Sequence, residues 1–208
     1  MGKPLDVNPW LQMWVAPRDT IRKIVTFNPK HRLYLLSTIY GIPLMLNIIQ
    51  TLSLGQGFSL LALLLSALIL STWIGFLVLS ACGGLIYWTG KWIGGRGSFQ
   101  EIRAALAWSY VTDIASILLW GILVSVFGTK LFLNTFQQTM FVGRELATIV
   151  LVSMAQLVVS VWALIILLKA LGEVQGFSAW KALLNLAIPF FLLSGLVWVA
   201  LLLIGTFS

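Results

Sequence analysis

The sequence predicts an all-α, polytopic membrane protein. Two observations carry that prediction. Five long apolar runs occupy most of the chain, at 33–53, 58–88, 104–127, 146–168 and 182–207. Hydrophobic residues make up 60% of the chain and charged residues only 9%, against about 25% in soluble domains. Crossing a hydrocarbon core of ~30 Å takes ~20 apolar helical residues, so each run is long enough to span. Four of the five carry no charged residue; the third contains Asp113. An outer-membrane barrel is disfavoured, because its strands are alternating segments of ~10 residues and these runs are unbroken.

Charge placement orients the bundle. Lys3, Arg18, Arg22, Lys23, Lys30, Arg32, Lys91, Arg96, Arg103, Lys169 and Lys181 fall on one side of the five crossings. Lys130 and Arg144 fall on the other, so the thirteen basic residues split eleven to two. By the positive-inside rule the N-terminus is cytoplasmic and the C-terminus outside. The net charge of +7 therefore reads as topology signal and contact with anionic lipid heads. Nucleic acid is not expected as a partner.

Residues 1–32 form a basic amphipathic collar, and 33–208 the five-helix transmembrane domain. Pro17 opens a short helix in the collar, since proline is tolerated in a first turn, and Asn28-Pro29 ends it. Ile21, Ile24 and Val25 make its apolar stripe, beside Arg18, Arg22 and Lys23. This stripe is expected to lie flat on the inner leaflet, with Trp10 and Trp14 as interfacial anchors. The first apolar run starts too late and is too long for the core of a cleavable signal. Gly41 and Pro43 predict a kink in the first spanning helix. A tight turn over residues 54–57 joins it to the second. The second run would be ~46 Å long as a helix, so it must tilt, bend near Gly83-Gly84, or protrude. Phe132, Phe136 and Met140 recur every four residues and predict a short interfacial helix on the outer side.

Residues 91–106 align without gaps to 169–184. Lys91/Lys169, Gly94/Gly172, Phe99/Phe177, Ala104/Ala182 and Leu106/Leu184 are identical, and Arg103/Lys181 is conservative. Both copies lie on the same side of the membrane, which predicts a parallel repeat of two hairpins. Helix one would then be an addition, free to join a neighbouring copy in a homo-oligomer.

The stretch Gly94-Gly95-Arg96-Gly97-Ser98-Phe99, then Glu101, then Ala107-Trp108-Ser109-Tyr110, resembles the Yip (Ypt-interacting protein) family in its short bacterial form. Trp14 with Ala16-Pro17-Arg18, and later Leu171, Val174, Lys181-Ala182 and Ile188-Pro189, are similar to it too. The family usually has a proline shortly after the Ser-Tyr pair. Thr112 stands there, so a proline kink in the third spanning helix is not expected. The resemblance implies a multispanning protein of the bacterial inner (plasma) membrane. Eukaryotic members have longer cytoplasmic N-terminal regions and are linked to Rab-type GTPases and vesicle traffic. This chain's short collar gives no ground for carrying that role over.

Asp113 is the sharpest candidate for chemistry. It lies ~15 Å beyond Arg103 by helical rise, and an ionisable group at that depth is by default a functional hypothesis. Tyr110, Asn185, Gln156 and the Thr112 hydroxyl are its expected partners. The competing reading is a hydrogen-bonded aspartate that fixes helix packing. Asn47 and Gln50 are weaker polar candidates. The glycines of 94–97 lack the Lys-Ser/Thr of a nucleotide loop and read as a turn. His31 and Cys82 are the only residues of their types, so no disulfide within the chain is expected. No metal site, cofactor or catalytic set can be assembled. The sequence favours a non-enzymatic membrane-organising or adaptor role through cytoplasmic loops, with Glu101 and the collar arginines involved, and with membrane lipids and a protein as partners. The alternative is a channel or transporter using Asp113; a lipid-acting enzyme comes third.

Overall fold

The computed structural model describes residues 8–207, with side chains described for 8–195 and for Trp198; Lys3 lies outside the described residues. The described chain is helical and contains no strand. Helix α1 (Pro9–Val15) and helix α2 (Pro17–Phe27) form the collar. Helices α3 (Leu33–Thr51) and α4 (Leu60–Trp92) follow. Then come α5 (Phe99–Ser109) and α6 (Asp113–Phe127), separated by a 3-10 turn at Tyr110–Thr112. The chain ends with α7 (Gly143–Gln175) and α8 (Ala179–Phe207).

Among the described residues, four of the five expected segments are long and apolar enough to cross a membrane: Leu33–Thr51, Leu60–Trp92, Phe99–Phe132 and Gly143–Gln175. Their outer faces are strongly apolar. Leu61, Leu65, Ile69, Trp73 and Leu77 of α4 are exposed, as are Leu151, Met154, Leu157 and Val158 of α7. Soluble monomers rarely show contiguous apolar patches beyond a few hundred Å², so these faces are built for lipid.

The tightest helix pair is α3 on α4, and small residues make it so. A Cβ on Gly41 would overlap the Ser71 carbonyl oxygen, and one on Gly75 would overlap that of Ser37. Ser37 and Gly41 are four apart on one helix; Ala67, Ser71 and Gly75 are four apart on the other. This small-xxx-small spacing lets backbones approach closely. The Thr38 and Thr72 hydroxyls bond across the seam at 2.8 Å. Helix α3 is therefore fastened along this face to its own bundle.

Several local expectations change. Helix α4 runs through Gly83 and Gly84 without a break. Outside α6, residues 128–132 and 134–138 are 3-10 turns instead of an α-helix. Phe132 is buried there and stacks on Trp120 at 6.3 Å, while Met140 is exposed. Phe132 thus plugs the end of the bundle, and Gly55 of the α3–α4 turn lies against its backbone.

The collar does not keep its apolar stripe for lipid. Met13, Ile21 and Ile24 are fully buried in the main core with residues of α5 and α7. Burial of each such side chain stabilises docking by about 1.5–3 kcal/mol. Trp10 packs edge-on against buried Trp108 at 5.3 Å, and His31 stacks on the same core residue at 6.1 Å. Trp10 and Trp14 are therefore packing residues of the protein. Asn8 caps α1 by accepting from the Trp10 N–H, and the Asn28 N–H closes α2.

The two loops of the internal alignment meet in space. The Arg96 N–H donates to the Gln175 carbonyl, and Gly97 closes on Val174. Each junction has a left-handed glycine, Gly94 or Gly176, and a serine, Ser98 or Ser178, that caps the next helix. These features do not keep the gapless register: it places Ser98 opposite Gly176.

Candidate functional site: a helix break at Asp113

The third spanning segment is interrupted near its middle without a proline. The Ser109 hydroxyl bonds the Ala105 carbonyl at 2.6 Å, and the Thr112 hydroxyl reaches the Ser109 carbonyl at 3.3 Å. Side-chain bonds of this kind compete with the helical ladder. The ladder tightens to 3-10 over Tyr110–Thr112, and the Asp113 N–H turns back to Tyr110 and Val111. Mid-helix 3-10 stretches commonly mark hinges or sites. Asp113 is the first residue of α6, where the helix N-terminus favours a carboxylate.

Ser116, one turn on, donates to Asp113 Oδ1 at 3.3 Å. Gln156 of α7 donates to Ser116 Oγ at 3.1 Å and reaches Ser160 Oγ at 3.5 Å. The Tyr110 ring lies 4.4 Å from that of Tyr40 on α3. Tyr40, Tyr110, Asp113, Ser116 and Gln156 face a cavity of about 490 Å³ between α3, α6 and α7. A second cavity, of about 200 Å³, lies against Ser160, Ala163 and Leu167 of α7. Tyr110 and Asp113 line both, so the break stands where the two hollows meet.

Of the expected group, Asp113, Tyr110 and Gln156 come together. Thr112 is buried and bonds its own helix. Asn185 is elsewhere: on α8, its Oδ1 accepts from the Thr89 hydroxyl of α4 at 2.8 Å. It is a helix–helix tie and no partner of Asp113. Gln50 likewise ties α3 to the Leu131 carbonyl. Tyr40, Ser116 and Trp120 belong to the larger cavity's lining and were not singled out in the sequence. Ser116 was legible, lying three residues after Asp113 on the same helix.

The collar end gathers the basic residues. Arg18 and Lys23 are exposed. Arg22 pairs with Glu173 of α7 at 2.7 Å; the hydrogen bond and charge of Glu173 raise its already high pKa. Lys91 lies over Tyr87 and Lys181 over Phe177. Arg96 is exposed beside Gly176. Arg103 differs from the rest: half-buried, it sits between Phe76 and Phe99 and donates to Ser80 Oγ. It packs α5 against α4. Glu101 forms a capping box with Ser98 and makes no ion pair with Arg103. The N–H groups of Gly94, Gly95, Arg96 and Ser98 are all bonded within the protein, which leaves no phosphate cradle. Among the described residues no three His, Cys, Asp or Glu side chains cluster to hold a metal ion.

No curated protein and no solved structure matches the chain significantly. A family model described as the Yip1 domain matches residues 11–202, which spans the collar, every apolar helix and the break at Asp113. The chain is an integral membrane protein and belongs to the Yip1-domain family.

Proposed function

We propose that this protein is a non-enzymatic membrane organiser that works from its collar end. The carrying observation is how the collar is held. Its apolar stripe is buried in the protein's own core, while Arg18, Lys23, Arg32, Lys91, Arg96 and Lys181 stay exposed around it. Cations on a fixed scaffold engage anionic headgroups at less entropic cost than a loose basic tail, each contributing about 1 kcal/mol near an anionic surface. In this reading the collar faces the cytoplasm, α8 is the fifth span, and the same rim presents a surface to a protein partner. The membrane is the bacterial inner membrane. Lipid retained on purification tests the reading. The native protein should carry phosphatidylglycerol in excess of its share in the membrane. Glutamine at Arg18, Lys23, Lys91 and Lys181 should remove that excess, and an unchanged lipid profile would count against the proposal.

A second reading rests on the two hollows that meet at Tyr110 and Asp113. Discontinuous helices with polar groups at the midplane are the form of many transporter sites. Flux of ions or small solutes into proteoliposomes, for the native chain and Asp113→Asn, tests it. Absence of flux in both would end this reading.

A further inference from the structure

We propose that the larger cavity at the helix break binds the protonated amine of an amphiphile. The inference goes beyond the organising role and does not require that anything crosses the membrane. Three features point to it. First, the site holds a carboxyl group without a protein counter-charge. Asp113 lines the cavity, no Lys, Arg or His does, and its carboxylate accepts from Ser116 alone. The ion pairs among the described residues are Arg22–Asp19 and Arg22–Glu173, both at the collar. A half-buried carboxylate left unpaired is costly, and an ammonium group supplies both charge and hydrogen-bond donors.

Second, the size and composition suit a small organic molecule. A volume of about 490 Å³ falls within the ~300–1,000 Å³ of small-molecule sites. Asp113 is the one carboxylate in the lining, so a single positive charge is what the site can balance. The lining is divided. Asp113, Ser116 and Gln156 form one hydrogen-bonded polar group, Leu44, Leu119 and Leu123 supply apolar wall, and Asn47 and Ser153 add polar side chains at the exposed edge. That division matches an amphiphile with a small cationic head. The tyrosine pair, with Trp120, adds ring faces that attract ammonium groups.

Third, the hollow is reachable from the side of the bundle. Asn47 of α3 and Ser153 of α7 both line it and are exposed. They lie within apolar helices whose neighbouring faces are built for lipid, so the ligand arrives through the bilayer. The amine has two sources: a phosphatidylethanolamine headgroup or a free hydrophobic ammonium ion.

The test uses the full chain in nanodiscs of phosphatidylglycerol, with radiolabelled octylammonium as probe and a thermal-unfolding check on each variant. The native protein should bind the probe saturably, and Asp113→Asn should weaken binding at least tenfold while keeping its Tm. If Asp113→Asn does not fold, Ser153→Trp decides in its place, because it fills the cavity from its exposed edge and leaves Asp113 intact; binding should be lost. Phosphatidylethanolamine added to the nanodiscs separates the sources. Displacement of the probe assigns the site to the headgroup, and no displacement assigns it to free ammonium solutes. No saturable binding by the native protein, or binding unchanged in the deciding variant, overturns the proposal.

Discussion

Replacing Gly41 with alanine should loosen the bundle at its tightest seam. The added methyl would overlap the Ser71 carbonyl oxygen and lie 2.6 Å from its carbon and 2.9 Å from Ser71 Cα. Carbon contacts sit at ~3.5–4.0 Å, so α3 and α4 must part by about 1 Å. The opposing atoms are backbone, and no rotamer change relieves them. Overpacking of this kind costs about 1–3 kcal/mol, and three backbone clashes place it near the upper end. Alanine returns up to about 1 kcal/mol of helix propensity, leaving a net loss of about 1–2 kcal/mol. Gly84→Ala is the internal control: it is also within a helix, but its methyl would meet nothing within 4 Å. It should be neutral or stabilising by up to about 1 kcal/mol. Reversible unfolding in mixed detergent micelles should therefore separate the two variants by about 2–3 kcal/mol. Gly75→Ala should behave like Gly41→Ala. The double variant should cost less than the sum, because one separation admits both methyls. Equal stability of Gly41→Ala and Gly84→Ala would refute the close-packing argument.

Three further outcomes follow. Ile24→Ala should cost about 2–5 kcal/mol of collar docking, read as faster protease cleavage near Asn28 with the spanning helices intact; unchanged cleavage would show that the stripe is not docked. His31 has its pKa lowered, first by burial and then by Arg32. Its neutral form is therefore the one the fold prefers, so its stabilisation is complete above its unfolded value of 6.5 and declines as pH falls through the lower folded value. Protection of α1 and α2 from hydrogen exchange, taken relative to the intrinsic rate at each pH, should fall from pH 7.5 to pH 5.5, a change that His31→Gln should flatten. A cycle of Thr89→Val and Asn185→Leu should give a coupling of about 0.6–1.7 kcal/mol, the range for hydrogen bonds between membrane helices; zero coupling would dissolve the α4–α8 tie.

The spanning helices were legible because lipid imposes a simple length and composition on them. The gathering of the basic residues outside the apolar runs was equally plain. The collar was harder. A stripe of Ile21 and Ile24 beside arginines fits a lipid surface and a protein surface equally, and only the tertiary fold shows that α5 and α7 fill it. Phe132 and Phe136 have α-helical spacing, yet the short span between α6 and α7 folds as 3-10 turns whose aromatics close the bundle end. The break after Ser109 lacks a proline, and the hydroxyls that loosen the helix there are common in apolar helices. The α3–α4 seam was written in the spacing of Ser37/Gly41 and Ala67/Ser71/Gly75, but Gly41 was read as a kink next to Pro43. Asn185 was grouped with Asp113 because both are polar and buried, a likeness of type that says nothing about which helices face each other.

The collar-end account is tested most directly by spin-label measurement of lipid selectivity in bilayers of mixed phosphatidylcholine and phosphatidylglycerol. Labelled phosphatidylglycerol should be enriched next to the native protein. Glutamine at Arg18, Lys23, Lys91 and Lys181 should abolish that preference, given about 1 kcal/mol for each cation. Glutamine at Lys130 and Arg144, at the opposite end, should leave it in place. A preference that survives the first set, or is lost equally with the second, would contradict the account.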